Sequence, residues 1–296
     1  MSSLMNERAT GTFERSSFHA PCDVPGPIVI EPRSGWQTVD WKALWRYREL
    51  LGLLVWRDIQ VRYKQTVLGA LWAVLQPVST MVVFTVFFGR LGGIAQSVDG
   101  DYGLFVFAAL LPWQLFSTAV GQAGQSLING GNLISKVYFP RLIIPISSVG
   151  SAVADFGVSL VVMLVLAVGF GVRFGPGLML LPVFLAGTVL TAIGIGTLLA
   201  ALVIEYRDFR HVLGFLLQIW MFCTPVAYPL SIIPEKYRLL YSLNPMVGMI
   251  CGFRSALLGT PAEWGCITVS TGVMAMSVWL GLLYFRRLER RFADIV

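Results

Sequence analysis

The chain has 296 residues, 56% of them hydrophobic and only 13% charged, with a mean hydropathy of +0.72. A soluble domain carries about 25% charged residues, so most of this chain is predicted to lie in lipid. The net charge of +6 raises nucleic acid as a partner, but the placement of the charges fits membrane topology instead.

Residues 1–38 are polar and carry Pro21, Pro25, Pro27 and Pro32, which predicts a flexible arm ending in an extended piece at Ile28–Pro32. No apolar run in the first 66 residues is long enough for a signal peptide, so targeting is expected to use the first membrane helix. Residues 40–64 read as one helix. Asp40 is a plausible N-cap, and Trp41, Leu44, Trp45, Leu51, Leu54 and Val55 recur at helical spacing among Arg46, Arg48, Arg57, Arg62 and Lys64. Tryptophan with arginine on such a helix suits the membrane–water interface; the alternative is a solvent-facing helix with ordinary packing.

Six spans follow, each long enough for about 30 Å of hydrocarbon: about 67–90, 103–124, 142–172, 178–204, 212–230 and 264–285. The second is followed by a Gly-, Asn- and Gln-rich stretch, read as a polar connection. The third holds the one charge deep in a span, Asp155, beside Ser147, Ser148, Ser151 and Ser159. A charge there costs at least about 2.5–3.5 kcal/mol on insertion scales. A structural hydrogen-bonded role, a pore-lining role and a proton relay all fit it. Between spans five and six, Leu239–Phe253 is free of charge but short and broken by Asn244-Pro245, so short re-entrant or surface helices are expected rather than a seventh span.

With both termini cytoplasmic, the inner segments hold Arg57, Arg62, Lys64, Lys136, Arg141, Arg207, Arg210, Arg286, Arg287, Arg290 and Arg291. The outer ones hold only Arg90, Arg173, Lys236, Arg238 and Arg254. The positive-inside rule favours that orientation.

The chemistry is spare. Cys22, Cys223, Cys251 and Cys266 form no C-x-x-C pair, and His19 and His211 are the only histidines, so isolated thiols are expected and no His-rich metal site. No H-E-x-x-H motif or pair of intramembrane catalytic carboxylates occurs. No G-x-x-x-x-G-K-[ST] run occurs either, so a phosphate-cradling loop for ATP is missing. A transporter with this sequence takes its energy from a separate subunit or from an ion gradient. A proton-coupled carrier would use Asp155, but spans one to three show no repeat in four to six, as many such carriers do.

Three stretches carry a resemblance. Trp56-Arg57-Asp58-Ile59-Gln60-Val61-Arg62-Tyr63-Lys64 leads through Leu68-Gly69 and Trp72 to Gln76-Pro77. Asn132–Arg141 holds Lys136-Val137-Tyr138-Phe139-Pro140. The last third holds Tyr206-Arg207-Asp208-Phe209-Arg210, Thr224-Pro225-Val226, Tyr228-Pro229 and Leu243-Asn244-Pro245-Met246. Over about residues 28–290 the chain resembles the permeases of bacterial polysaccharide ABC exporters, which move O-antigens, capsular polysaccharides or teichoic acids. The resemblance implies an all-α type-2 ABC exporter fold with six spans per protomer. It also implies a homodimer with the pore at its interface, and two copies of a P-loop ATPase that bind the ATP and magnesium, leaving no cofactor on this chain. Lipid-linked polysaccharide would be the cargo and the inner membrane the location; a smaller lipid or drug is the alternative cargo.

The resemblance also gives segments roles. Residues 40–64 would flank a lateral gate, 128–140 would contain the helix that couples to the ATPase, and 230–260 would close the outer mouth. An aromatic pore lining suits weak, repeated contact with sugar C–H faces. Trp72, Phe84, Phe88, Trp220 and Tyr228 are the candidates, against the ordinary alternative of lipid-facing or interhelical packing. For the ATPase contact the candidates are Lys136, Tyr138, Phe139, Arg141, Arg207 and Asp208. Tyr138 and Phe139 are expected as its anchors, and the alternatives are a solvated loop and a self-paired surface patch.

Overall fold

The computed structural model describes residues 41–64, 71–98, 100–134, 139–206 and 208–289. The expected arm over 1–38 lies outside them. Among the described residues the regular structure is all helical. In chain order the helices are α1 (Trp41–Arg46), α2 (Arg48–Lys64), α3 (Leu71–Phe84), α4 (Tyr102–Asn129), α5 (Gly131–Ile134), α6 (Ile143–Gly169), α7 (Leu181–Glu205), α8 (Phe209–Phe222), α9 (Glu235–Tyr241), α10 (Pro245–Leu258) and α11 (Trp264–Leu288). Helix α3 continues into a π-helical turn over Thr85–Leu91.

Helix α4 is the axis of the bundle. It packs against α6 and α7 along most of its length, and against α3, α8 and α10 at its sides. Its apolar stretch is 78% buried, against 17% for the first span and 28–44% for the other long helices. Asp101 starts it by accepting the Leu104 amide at 3.0 Å, satisfying one of the orphan donors of a helix N-terminus. Asn244 does the same for α10, accepting from the Met246 amide at 3.1 Å, with Pro245 in the first turn. Helices α7 and α11 cross where glycine meets glycine. A Cβ on Gly281 would lie 2.0 Å from the Gly194 carbonyl oxygen, so no larger residue fits that crossing.

Among the described residues, five helical stretches are long and apolar enough to cross a membrane: Val74–Leu91, Tyr102–Asn129, Ile143–Gly169, Pro176–Glu205 and Trp264–Leu288. The expected fifth span, 212–230, is instead the 14-residue α8, about 21 Å long at 1.5 Å per residue and short of about 30 Å of hydrocarbon. It stops at Phe222 because Pro225 and Pro229 cannot continue it, and residues 223–229 form turns. The second span corrects the opposite way. It runs as helix to Asn129, five residues past the expected end, because its glutamines occupy one stripe while Ala123 and Leu127 stay buried on another. Two short helices, α9 and α10, lie between α8 and α11, as the break at Asn244-Pro245 predicts.

The predicted helix over 40–64 is broken at Tyr47 into α1 and α2. Trp45 and Trp56 are exposed, while Leu54 is buried. Helix α2 climbs along α6. Val55 sits against Gly150, where a Cβ would come within 2.6 Å of the valine methyl, and Arg62 reaches Asp155 near the middle of α6.

Candidate functional site

Two polar stripes face a common space. On α4, Gln114, Thr118, Gln122, Gln125 and Asn129 are spaced by four, four, three and four residues, which puts them on one face. On α6, Ser147, Ser151, Asp155 and Ser159 recur every fourth residue. Helix α2 lies across the gap, and the start of α3 closes its deeper end with Trp72, Gln76 and Pro77. The result is a trough made of a cavity of about 330 Å³ and a groove of about 800 Å³, which share Arg62, Thr118 and Gln122. The stripes touch where the Ser151 hydroxyl donates to Gln122 Oε1 at 3.0 Å. Ser147 and Ser148 donate to the Ile144 carbonyl of their own helix.

Asp155 finds two partners from α2. Arg62 forms an ion pair with one carboxylate oxygen, and the Tyr63 hydroxyl donates to the other. The side chains of Arg62 and Asp155 keep 31% and 24% of their surface exposed, facing the trough rather than a dry core. The carboxylate is thus paired and hydrogen-bonded, and it also stands at the wall of a polar space. At the mouth of the groove Arg57 pairs with Asp58 at 2.8 Å.

The aromatic candidates divide. Trp72 is 52% exposed and lines the trough. Phe84 is only 8% exposed and packs edge-on to Phe88, ring centroids 5.2 Å apart, within the protomer core. Trp220 packs edge-on to Phe116 at 5.3 Å and donates its indole N–H to Asn244 Oδ1 at 3.1 Å. Tyr228 is hydrogen-bonded to the Tyr241 hydroxyl and donates to the Phe222 carbonyl at 3.0 Å. Burial, then the Tyr228 hydrogen bond, pushes the Tyr241 phenol up, so it stays a neutral donor. Within one protomer no ring contact among the described residues links Phe84 or Phe88 to Trp220 or Tyr228.

Of the coupling candidates, Lys136, Tyr138 and Arg207 lie outside the described residues. Phe139 corrects the expectation of an outward-facing anchor. Its ring is 6% exposed, buried in a cluster with Leu54, Leu142, Ile204, Leu282 and Phe285. The apolar ends of α2, α6, α7 and α11 converge there and the ring fills the space between them. Arg141 ties the same loop to the end of α11, its guanidinium donating to the Glu289 carbonyl at 2.9 Å. Asp208 is exposed at the start of α8. In the neighbouring mixed-charge patch, Glu205 accepts from the Tyr284 hydroxyl at 2.8 Å.

Arg254 is the residue that sequence reading missed, counted there only as an outer charge. It is 4% exposed. Its guanidinium lies 3.5 Å from the centroid of the Phe105 ring and donates to three carbonyls: Val226 at 2.7 Å, Phe105 at 3.2 Å and Tyr228 at 3.3 Å. A planar five-donor fork suits this task and an ammonium does not. From the other side Asn244 donates to the Cys223 carbonyl and to Thr224 Oγ1, so the break after α8 is held from both flanks. The available signal was an arginine inside the apolar run 239–258.

Known proteins resemble this chain over the same elements. A protein from Myxococcus xanthus described as the O-antigen export system permease protein RfbA is 34% identical over 216 residues, 72% of this chain and 82% of its own length. A protein of the same description from Klebsiella pneumoniae is 28% identical over 84% of this chain and 95% of itself. The polysialic acid transport protein KpsM of Escherichia coli is 26% identical over 79% of this chain and 91% of itself. Residues 49–258, from α2 through α10, match the model of the ABC-2 type transporter membrane domain, and the chain belongs to that family.

Proposed function

We propose that this chain is the membrane subunit of an ATP-driven exporter that moves a lipid-linked polysaccharide such as O-antigen out across the bacterial inner membrane. The observation that carries the reading is the likeness to O-antigen export permeases over up to 84% of the chain, beside a family match over residues 49–258 that takes in both walls of the trough. In this reading a homodimer works with two copies of a separate P-loop ATPase, and both termini are cytoplasmic. The arginine and lysine bias supports the orientation. The region around 131–141 is the ATPase contact, with Lys136, Tyr138, Arg207 and Asp208 as its candidate residues. Phe139 and Arg141 brace that region against α11 instead, so a push there is passed to α2, α6 and α11 together.

Reconstitution of the chain with its ATPase in liposomes is the test. ATP-dependent transfer of lipid-linked polysaccharide to the far leaflet is expected. Transfer of a small amphiphile with no movement of polysaccharide would replace the glycan with a lipid or drug cargo. Export abolished by Asp155→Asn in a complex that still folds and hydrolyses ATP would bring back a protonation role for that residue.

A further inference from the structure

We propose that the trough between α2, α3, α4 and α6 is a subsite for an uncharged, hydroxyl-rich segment of the cargo glycan, held by the side-chain amides of Gln76 and Gln114 and the hydroxyl of Thr118. The proposal rests on the exporter reading above. Each buried serine and threonine among the described residues donates to a backbone carbonyl or a neighbouring side chain: Thr188 to Phe184, Thr191 to Gly187 and Thr224 to Trp220, for example. The bundle satisfies its hydroxyls internally, as an apolar surrounding requires. Gln76, by contrast, is exposed, and Gln114 and Thr118 are half-buried. All three line the inner cavity, and no side-chain partner is present for any of them among the described residues. A cargo segment that displaces water from this cavity must give these groups hydrogen-bond partners in its place.

The charges decide what kind of occupant. Among the described residues, four charged side chains line the trough, and they stand in two pairs, Arg57 with Asp58 and Arg62 with Asp155. The wall is neutral in sum, so it gives an anionic group no net attraction. What it offers is paired donors and acceptors one helical turn apart on α4, with the Trp72 ring beside them. A sugar ring has the same make-up, hydroxyls at its rim and C–H groups on its faces. The inner cavity, about 330 Å³, falls within the range of about 300–1,000 Å³ typical of small-molecule sites.

The test places a cysteine in the wall of the intact complex with its ATPase, in lipid nanodiscs. Ser159→Cys, in the wall of the inner cavity but outside the three holding groups, is treated with a membrane-impermeant maleimide, and modification of the peptide carrying position 159 is followed by mass spectrometry. Lipid-linked glycan isolated from exporter-deficient cells is expected to slow modification about tenfold, the factor that 1.4 kcal/mol of binding supplies. An uncharged maltooligosaccharide at high concentration is expected to protect as well, and a sialic acid oligomer of equal length is not. Adding Gln76→Leu and Gln114→Leu is expected to abolish the protection. Gln125→Cys, in the adjoining groove, replaces Ser159→Cys if that variant folds poorly. Fast modification that no glycan slows, in a complex whose parent exports the glycan, would make the trough a water-filled space and overturn the subsite alone. No modification at all would overturn it too, since the trough would then be closed. Equal protection by the acidic oligomer would overturn the uncharged cargo. A parent complex that exports no glycan would overturn the exporter reading and this proposal with it.

Discussion

Asp155→Asn removes a charge and leaves its partner behind. In the native protein the carboxylate takes Arg62 on one oxygen and Tyr63 on the other. Asparagine keeps an acceptor for the tyrosine but takes the opposite charge away from the Arg62 guanidinium near the middle of α6. Removing one member of a fully buried pair costs about 3–5 kcal/mol. Here a quarter to a third of each side chain faces a polar trough, where water screens the remaining charge, so the expected loss is about 2 kcal/mol. That is about a 30-fold fall in the ratio of folded to unfolded protein. Neutralising both ends should recover most of it, because an uncharged pair of similar size leaves no orphan charge. The assay is a double-mutant cycle of Asp155→Asn, Arg62→Gln and their combination, read as thermal or denaturant unfolding of the purified chain in one detergent. The double variant is expected to be more stable than Asp155→Asn alone. Additive losses, with the double variant the least stable of the three, would refute the pairing as the reason Asp155 is tolerated at that depth.

Two further outcomes follow from side chains outside the trough. Phe139→Ala should destabilise the isolated chain, with no ATPase present, by about 3–5 kcal/mol, the usual cost of deleting a buried aromatic ring. A chain of unchanged thermal stability that merely fails to co-purify with the ATPase would show that the ring faces the partner after all. Arg254→Lys should fare little better than Arg254→Ala, each losing at least about 3 kcal/mol by the same unfolding measurement, because hydrogen bonds from a charged donor are worth about 1.5–3 kcal/mol apiece and an ammonium cannot span three carbonyls and a ring. Recovery of near-native stability by lysine would mean that charge alone matters at that site.

Span positions and the short helices before α11 were legible because apolar length and proline placement act locally. The trough was half legible. The serines around Asp155 repeat every fourth residue, but the matching stripe on α4 was split between a span and a supposed polar connection. Its glutamines lower the hydropathy of a window without breaking the helix, so a length-and-charge reading cut the span at 124. The partnership of Arg62 and Tyr63 with Asp155 spans more than ninety positions and depends on α2 rising along α6 past Gly150, which no local pattern encodes. Phe139 was misread for the opposite reason. It stands in a polar loop, where an aromatic side chain looks like a knob, and only the convergence of four helices shows the pocket it fills.

Arg254 has a consequence for how this protein can change over generations. Its donors end on the main-chain oxygens of Phe105, Val226 and Tyr228, groups that every amino acid carries. Substitutions at 226 and 228 therefore leave those three hydrogen bonds available, and their cost falls on the packing of the buried Val226 and the hydroxyl bonds of Tyr228 instead. The dependence is one-sided, because only arginine can serve all three oxygens at once. One arginine thus holds the turn through main-chain oxygens alone, and the support it gives does not depend on the side chains of the residues it holds.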